Sequence, residues 1–152
     1  MAAPKLSDVL ANVFAQEGCD TLFTLMGDAN MYWTEAMQRQ PGMNIIHARH
    51  EHCAVAMADA YARATGKVGV ASTTCGPGFT QIMTGLAIAA RANTPMVVFA
   101  GDSPIAAPYY IQQIDMAPLT QATGAHHISV KTMDRALDNV REARSEEHTS
   151  EL

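Results

Sequence analysis

The sequence predicts an α/β fold, a three-layer α/β/α sandwich around a mostly parallel sheet. Short β-like runs alternate with helix-like segments along the chain. The β-like runs are continuous apolar stretches, without polar/apolar alternation, which is the pattern of strands covered on both faces. The chain has 152 residues, 48% hydrophobic and 16% charged. That suits one globular domain with a sizeable core.

The elements follow in order. Ser7 is placed to cap a helix through Gln16, with Gly18 just past its end. The first β-like run is Thr21–Gly27 (TLFTLMG). A helix is expected over Ala29–Gln40, stopped by Pro41-Gly42. The run Asn44–Arg49 (NIIHAR) is a second strand, and Glu51–Ala64 a helix ending near Gly66. On that helix Glu51, Ala54, Val55, Ala58 and Ala62 share one stripe. Most are small, so the helix can approach its neighbour closely. Lys67–Thr73 (KVGVAST) is a third strand. Gly78–Ala92 is a helix with Ile82, Met83, Leu86, Ala89 and Ala90 on one stripe, ending before Asn93-Thr94-Pro95. Met96–Gly101 (MVVFAG) and His126–Val130 (HHISV) are a fourth and a fifth strand, and Met133–Arg144 a last helix. Tyr109–Asp115 (YYIQQID) reads as an irregular, amide-rich surface loop.

The formal net charge is −5 and no basic cluster is present, so nucleic acid and anionic membranes are poor partners. No apolar run reaches the roughly 18 residues of a membrane span. The first residues, MAAPKLSDVL, lack the pattern of a signal peptide, so a cytoplasmic location is the expectation. Cys19, Cys53 and Cys75 are widely spaced and read as buried free thiols.

In a parallel sheet, ligands bind at the carboxyl ends of the strands. Those ends are Met26-Gly27-Asp28, Arg49-His50-Glu51, Thr74–Gly78 and Gly101-Asp102-Ser103, all expected along one edge. Glu51 has two readings. One is a helix-start acid, paired with Arg49 or His50 and favoured by the helix dipole. The other is a partly buried pocket acid backed by small apolar residues. His47, His50 and His52 suggest a metal site, but HExxH spacing from His50 would need His at position 54, which is Ala54. No metal ligand set is therefore expected. Thr74-Cys75-Gly76-Pro77-Gly78 is a tight turn opening a helix. It either reverses the chain or brings backbone near a ligand. It matches neither GxGxxG nor GxxxxGK[ST]. Met31-Tyr32-Trp33 carries the one Trp, in the core or at an interface.

Taken together, Arg49-His50-Glu51, the Ala58–Lys67 helix end (ADAYARATGK), Thr74–Gly78 (TCGPG) and Pro95–Gly101 (PMVVFAG) resemble the pyrimidine-binding (PYR) domain of thiamine-diphosphate enzymes. The branch is that of acetolactate synthase, pyruvate oxidase and benzoylformate decarboxylase. The resemblance runs from about Lys5 to Arg144, with residues 1–143 assigned to the domain. It implies that Glu51 contacts N1′ of the cofactor's aminopyrimidine and relays the proton that activates the thiazolium toward a 2-oxo acid. It places Gly27, Thr74, Gly76, Pro77, Gly78 and Gln81 beside the cofactor, with Gln81 standing where many members have Asn. Asp28 and Gln112, the latter in IQQID, fall on the substrate side. It assigns no role to His50, His52, His126 or His127; the last two lie later than the paired histidines of pyruvate decarboxylases.

The resemblance implies decarboxylation or carboligation of a 2-oxo acid, acetolactate synthase-like, with thiamine diphosphate as cofactor. Mg²⁺ would be held by a diphosphate-binding domain that has no motif here, and FAD in a longer protein stays open. It also implies that domain on a partner subunit and a homodimer or homotetramer. The loop FTLMGDAN replaces the family's F-G-x-P-G-G, which alters the substrate side. The alternatives are a complete small subunit of a split decarboxylase and a non-catalytic PYR-like binding domain. Residues 144–152 (RSEEHTSEL) are polar and aperiodic. One codon choice, AGATCGGAAGAGCACACGTCTGAACTC, resembles a common sequencing-library adapter. The expectation is a non-native tail, and a fragment inactive on its own.

Overall fold

The computed structural model of the chain describes residues 4–104, 106 and 109–145. Four parallel strands form one sheet in the order β2-β1-β3-β4: β1 Thr21–Thr24, β2 Asn44–His47, β3 Gly69–Thr73 and β4 Met96–Ala100. Leu22 and Phe23 of β1 lie opposite Val70 and Ala71 of β3. Neighbouring strand residues turn to opposite faces. Leu22 and Val70 therefore enter one apolar cluster and Phe23 and Ala71 another.

The first cluster is covered by α1 (Leu6–Gln16), α2 (Met31–Gln38) and α7 (Ala136–Ser145), through Leu10, Phe14, Trp33, Met37 and Val140. The second is covered by α3 (Glu51–Thr65), α4 (Pro77–Thr80), α5 (Met83–Arg91) and α6 (Met116–Thr123), through Val55, Ala58, Phe79, Leu86 and Met116. This is the expected three-layer sandwich. Each fully buried Val or Leu contributes roughly 1.5–3 kcal/mol, so the two clusters carry most of the favourable energy. Trp33 is a core residue, stacked on Phe99 with ring centroids 4.1 Å apart and edge-on to Phe14 at 5.1 Å.

Helix α3 follows its sequence closely. His50 is the N-cap and its Nδ1 accepts from the His52 N–H at 3.2 Å. Gly66 closes the helix in the left-handed region. Ala54, Val55, Ala58 and Ala62 are the buried stripe, as expected. Cys53 lies off that stripe and is exposed, against expectation; Cys19 and Cys75 are buried free thiols. Burial pushes the Cys19 thiol up to about 11, which leaves it unreactive.

Several elements differ from their predicted form. The first helix starts two residues early. Lys5 is its N-cap, the Lys5 carbonyl accepts from the N–H groups of Asp8 and Val9 at 3.1 Å each, and Ser7 caps nothing. The helix expected over Ala29–Gln40 starts at Met31, because Ala29 and Asn30 are spent on the turn after β1. The Gly78–Ala92 helix is split into α4 and α5. The Ile82 N–H reaches Phe79 O at 3.2 Å and the Thr80 hydroxyl donates to Pro77 O at 3.0 Å, tightening the turn between them. Residues 126–130 are not among the strands of the described sheet. Helix α6 was not foreseen. Of the suspected tail, Arg144 and Ser145 belong to α7, and residues 146–152 lie outside the described residues.

Candidate functional site

All four strands are parallel, so the loops after β1, β2, β3 and β4 emerge at one edge of the sheet. Three of them meet around Thr74. The loop after β1 reaches it first: the Ala29 N–H donates to Thr74 Oγ1 at 3.2 Å, and a Cβ at Gly27 would stand 2.7 Å from Thr74 Cβ. On the other side is Gly78, where a Cβ would meet Thr74 Cγ2 at 2.6 Å and Glu51 Oε1 at 3.1 Å. Gly27, Thr74, Gly78 and Glu51 thus form one continuous contact, from the β1 loop through the β3 turn to the start of α3.

The turn after β3 depends on glycine. Gly76 has φ 60°, and a Cβ there would lie 2.2 Å from the backbone oxygen of Gln112. A side chain is excluded by both conformation and space. This contact brings the segment carrying Gln112 onto the turn. Cys75 Sγ lies 3.8 Å from Gln112 Oε1, which also accepts from the Tyr110 hydroxyl at 3.4 Å. Burial raises the Cys75 thiol above its usual range, with the carboxylates of Asp102 and Asp28 adding to the effect. Asp28, Cys75, Tyr110 and Gln112 therefore form a second group beside the first.

Glu51 is half-buried in the first turn of α3. Among the described residues its carboxylate pairs with neither Arg49 nor His50; the His50 ring is engaged by the His52 N–H. The helix dipole still favours a negative charge there, by about 0.3–1 kcal/mol. A half-buried carboxylate at a helix start, with no cationic partner among the described residues, is chemically able to exchange a proton with a bound group. Pro77 and Gln81 are exposed, and the Gln81 side chain makes no hydrogen bond among the described residues. Among the described residues no three His, Cys, Asp or Glu side chains are grouped as a metal ion would need. His127 is exposed in the segment after α6, far along the chain from this edge.

One contributor was not singled out from the sequence. Asn30 is fully buried and its side chain joins four groups. Its oxygen accepts from the Gly27 N–H at 2.8 Å. Its nitrogen donates to Ser72 Oγ at 2.9 Å, Leu25 O at 3.3 Å and Thr24 Oγ1 at 3.4 Å. It locks the Gly27 loop to the ends of β1 and β3. The available signal was an Asn at the mouth of a predicted helix following Gly-Asp.

Comparison with known proteins agrees with this geometry. Residues 4–127 match the family described as "Thiamine pyrophosphate enzyme, N-terminal TPP binding domain". The acetolactate synthase large subunit of Buchnera aphidicola (Schizaphis graminum) is 34% identical over 127 residues, covering 82% of this chain and 22% of that protein. The acetolactate synthase large subunit of Parasynechococcus marenigrum is 41% identical over 98 residues, covering 62% of this chain and 16% of that protein. A solved structure, the Rhodococcus jostii thiamine diphosphate-dependent 4-hydroxybenzoylformate decarboxylase, superposes with a TM-score of 0.82 at 18% identity. It covers 93% of this chain and 27% of that one, and shows the shared fold. The chain spans about a fifth of the length of the curated relatives it matches.

Proposed function

Since the chain belongs to the thiamine pyrophosphate enzyme family and carries its N-terminal TPP binding domain, we propose that it holds the aminopyrimidine end of thiamine diphosphate with Glu51 as the proton-handling acid. The observation that carries this is the Glu51 carboxylate set 3.1 Å from where a Cβ of Gly78 would stand, with no cationic partner among the described residues. The residues present fit the group: a half-buried carboxylate with no cationic partner among the described residues stands at the sheet edge, and Gly78 lets the Thr74–Gly78 turn come close beside it.

Thiamine diphosphate, when bound, supplies the carbon nucleophile and electron sink for attack on a 2-oxo acid. The chain's own part is positioning and proton transfer. Glu51 would hold a proton at a carboxylate oxygen and exchange it with the aminopyrimidine. Gly27, Thr74, Gly76, Pro77 and Gly78 form the wall beside the ring. Gln81 stands at the end of the same turn. Asp28 and Gln112, grouped with Cys75 and Tyr110, line the substrate side. The whole protein then decarboxylates or ligates a 2-oxo acid, in the manner of an acetolactate synthase. A diphosphate-binding domain with its Mg²⁺, on a partner subunit of a cytoplasmic homodimer or homotetramer, completes the site. This chain alone does not turn over. No helix among the described residues is long and apolar enough to cross a membrane.

The test is Glu51→Gln in the full-length protein. Turnover of the 2-oxo acid should fall by about 10²–10⁴-fold, the usual contribution of a general acid–base, while thiamine diphosphate still binds. Turnover within a few-fold of the parent would refute the assigned role.

A further inference from the structure

The segment before α6 carries two adjacent glutamines, and its backbone selects one of them for the site. The Gln113 N–H donates to Tyr110 O at 2.9 Å and closes a turn over residues 110–113. Tyr109 and Ile111 stand out from it, 78% and 81% exposed, whereas Tyr110 and Gln112 are half-buried. Gln112 is also the residue whose backbone lies against the turn after β3, where a Cβ on Gly76 would meet its oxygen at 2.2 Å. Its main chain is therefore fixed at the carboxyl edge of the sheet, beside the turn that runs on to Gly78 and Glu51.

The side chain of Gln112 is held too, and at one end only. Its Oε1 accepts from the Tyr110 hydroxyl at 3.4 Å and from the Cys75 thiol at 3.8 Å. An amide oxygen offers two lone pairs and the amide nitrogen two N–H donors. Both lone pairs are engaged, while Nε2 makes no hydrogen bond among the described residues. Burial is the first cause that raises both the Cys75 thiol and the Tyr110 hydroxyl above their usual ranges, and the Asp28 carboxylate adds to each. Both groups therefore keep their protons at neutral pH and can donate. Turning the amide over would set its N–H groups against the buried Cys75 sulfur, which is a weak acceptor.

We propose that Tyr110 and Cys75 are positioning residues that fix the Gln112 amide so that its N–H pair alone faces the substrate side. This role rests on the functional reading above and deepens it by naming what that side selects. It selects an acceptor oxygen, the carboxylate or carbonyl of a 2-oxo acid, over a ligand that offers an N–H or O–H at the same place. A glutamine with a free amide would not discriminate, because either end can turn to a ligand. Asp28 sets a negative charge on the same side, beside Tyr110, which makes a fixed donor the more necessary for an anionic substrate. Tyr110 and Cys75 act through Gln112 and need not touch the substrate.

Two readouts test the role. In the 152-residue chain, which needs neither cofactor nor substrate for this purpose, the Gln112 side-chain amide should be as ordered as rigid backbone. Its NMR order parameter should be about 0.85 and should fall below about 0.6 in Tyr110→Phe and in Cys75→Ala. In the full-length protein loaded with thiamine diphosphate, KM and kcat are measured for the 2-oxo acid it turns over, pyruvate or benzoylformate. Tyr110→Phe should raise KM by about 3–10-fold, the effect of one lost hydrogen bond, with a smaller change in kcat. In a Gln112→Ala background the same substitution should leave KM where Gln112→Ala sets it. An amide already mobile in the parent, or one that stays ordered without its donors, overturns the proposal. So does an equal rise in KM in both backgrounds. Unaffected turnover in Glu51→Gln would instead overturn the functional reading, and the order parameter would still decide whether Tyr110 and Cys75 fix the amide.

Discussion

β3 and β4 lie side by side in one sheet and meet water very differently. β3 has a strand on each flank and a helix layer on each face, so even Gly69, Ser72 and Thr73 are buried. β4 has the more apolar residues and, among the described residues, a strand on one flank alone, so none of its five residues is fully buried. The contrast shows that burial here is set by neighbours and only secondarily by residue type. It also divides the molecule by role. The candidate site stands at the carboxyl end of the enclosed strand, where geometry is over-determined.

The largest expected effect is on the enclosed side. Gly76→Ala adds a Cβ 2.2 Å from Gln112 O at a residue with φ 60°. Strain of about 1–3 kcal/mol and overpacking of similar size should combine. Chemical denaturation should show a loss of at least about 2 kcal/mol, and a change below about 0.5 kcal/mol would mean that the turn is looser than described.

A matched pair sharpens the strand comparison directly. Val70 of β3 is fully buried and Val97 of β4 is half-buried, both in the same apolar cluster. Val70→Ala should cost about 2 kcal/mol and Val97→Ala under about 1 kcal/mol. Equal costs would remove the distinction between the strands.

The smallest effect is at the opposite end of the sheet. Asp20 accepts from Lys67 Nζ at 2.6 Å and from the Tyr61 hydroxyl at 2.7 Å. The Lys67 and Tyr61 hydrogen bonds lower its carboxyl from 3.8 to about 2. A lowered folded-state value means the contribution is complete above the unfolded value near 4 and is lost as pH falls from about 4 to about 2. The side chain is 41% exposed, so solvent screening limits the contribution to about 0.2–1 kcal/mol. Asp20→Asn should flatten the stability profile over that interval and lower stability at neutral pH by about 0.2–1 kcal/mol, where the contribution is complete.

The sequence was most legible where local signals and packing agree. Helix α3 was readable from its small-residue stripe and Gly66, and the site edge from strands ending in Gly, Glu and a Thr-Cys-Gly-Pro-Gly turn. Helix α6 was missed although its signals were present. Asp115 Oδ1 caps it by accepting from the Ala117 N–H at 3.2 Å, and Gly124 ends it in the left-handed region. The amide-rich residues just before it drew the segment into a loop reading. The fifth strand failed for a different reason. His126–Val130 has strand-like residues, but a strand is defined by its place in a ladder, and the described sheet has four strands, β2-β1-β3-β4. Asn30 was invisible because its importance lies in four hydrogen bonds to residues up to 42 positions away, which no local pattern encodes.

The central claim is that Glu51 handles the proton that activates bound thiamine diphosphate. The most direct measurement is the rate of hydrogen–deuterium exchange at the cofactor's C2 position, in the full-length protein and in its Glu51→Gln variant, with binding measured alongside. The account predicts exchange slower by about 10²-fold or more at nearly unchanged affinity. Equal exchange rates with equal binding would contradict it.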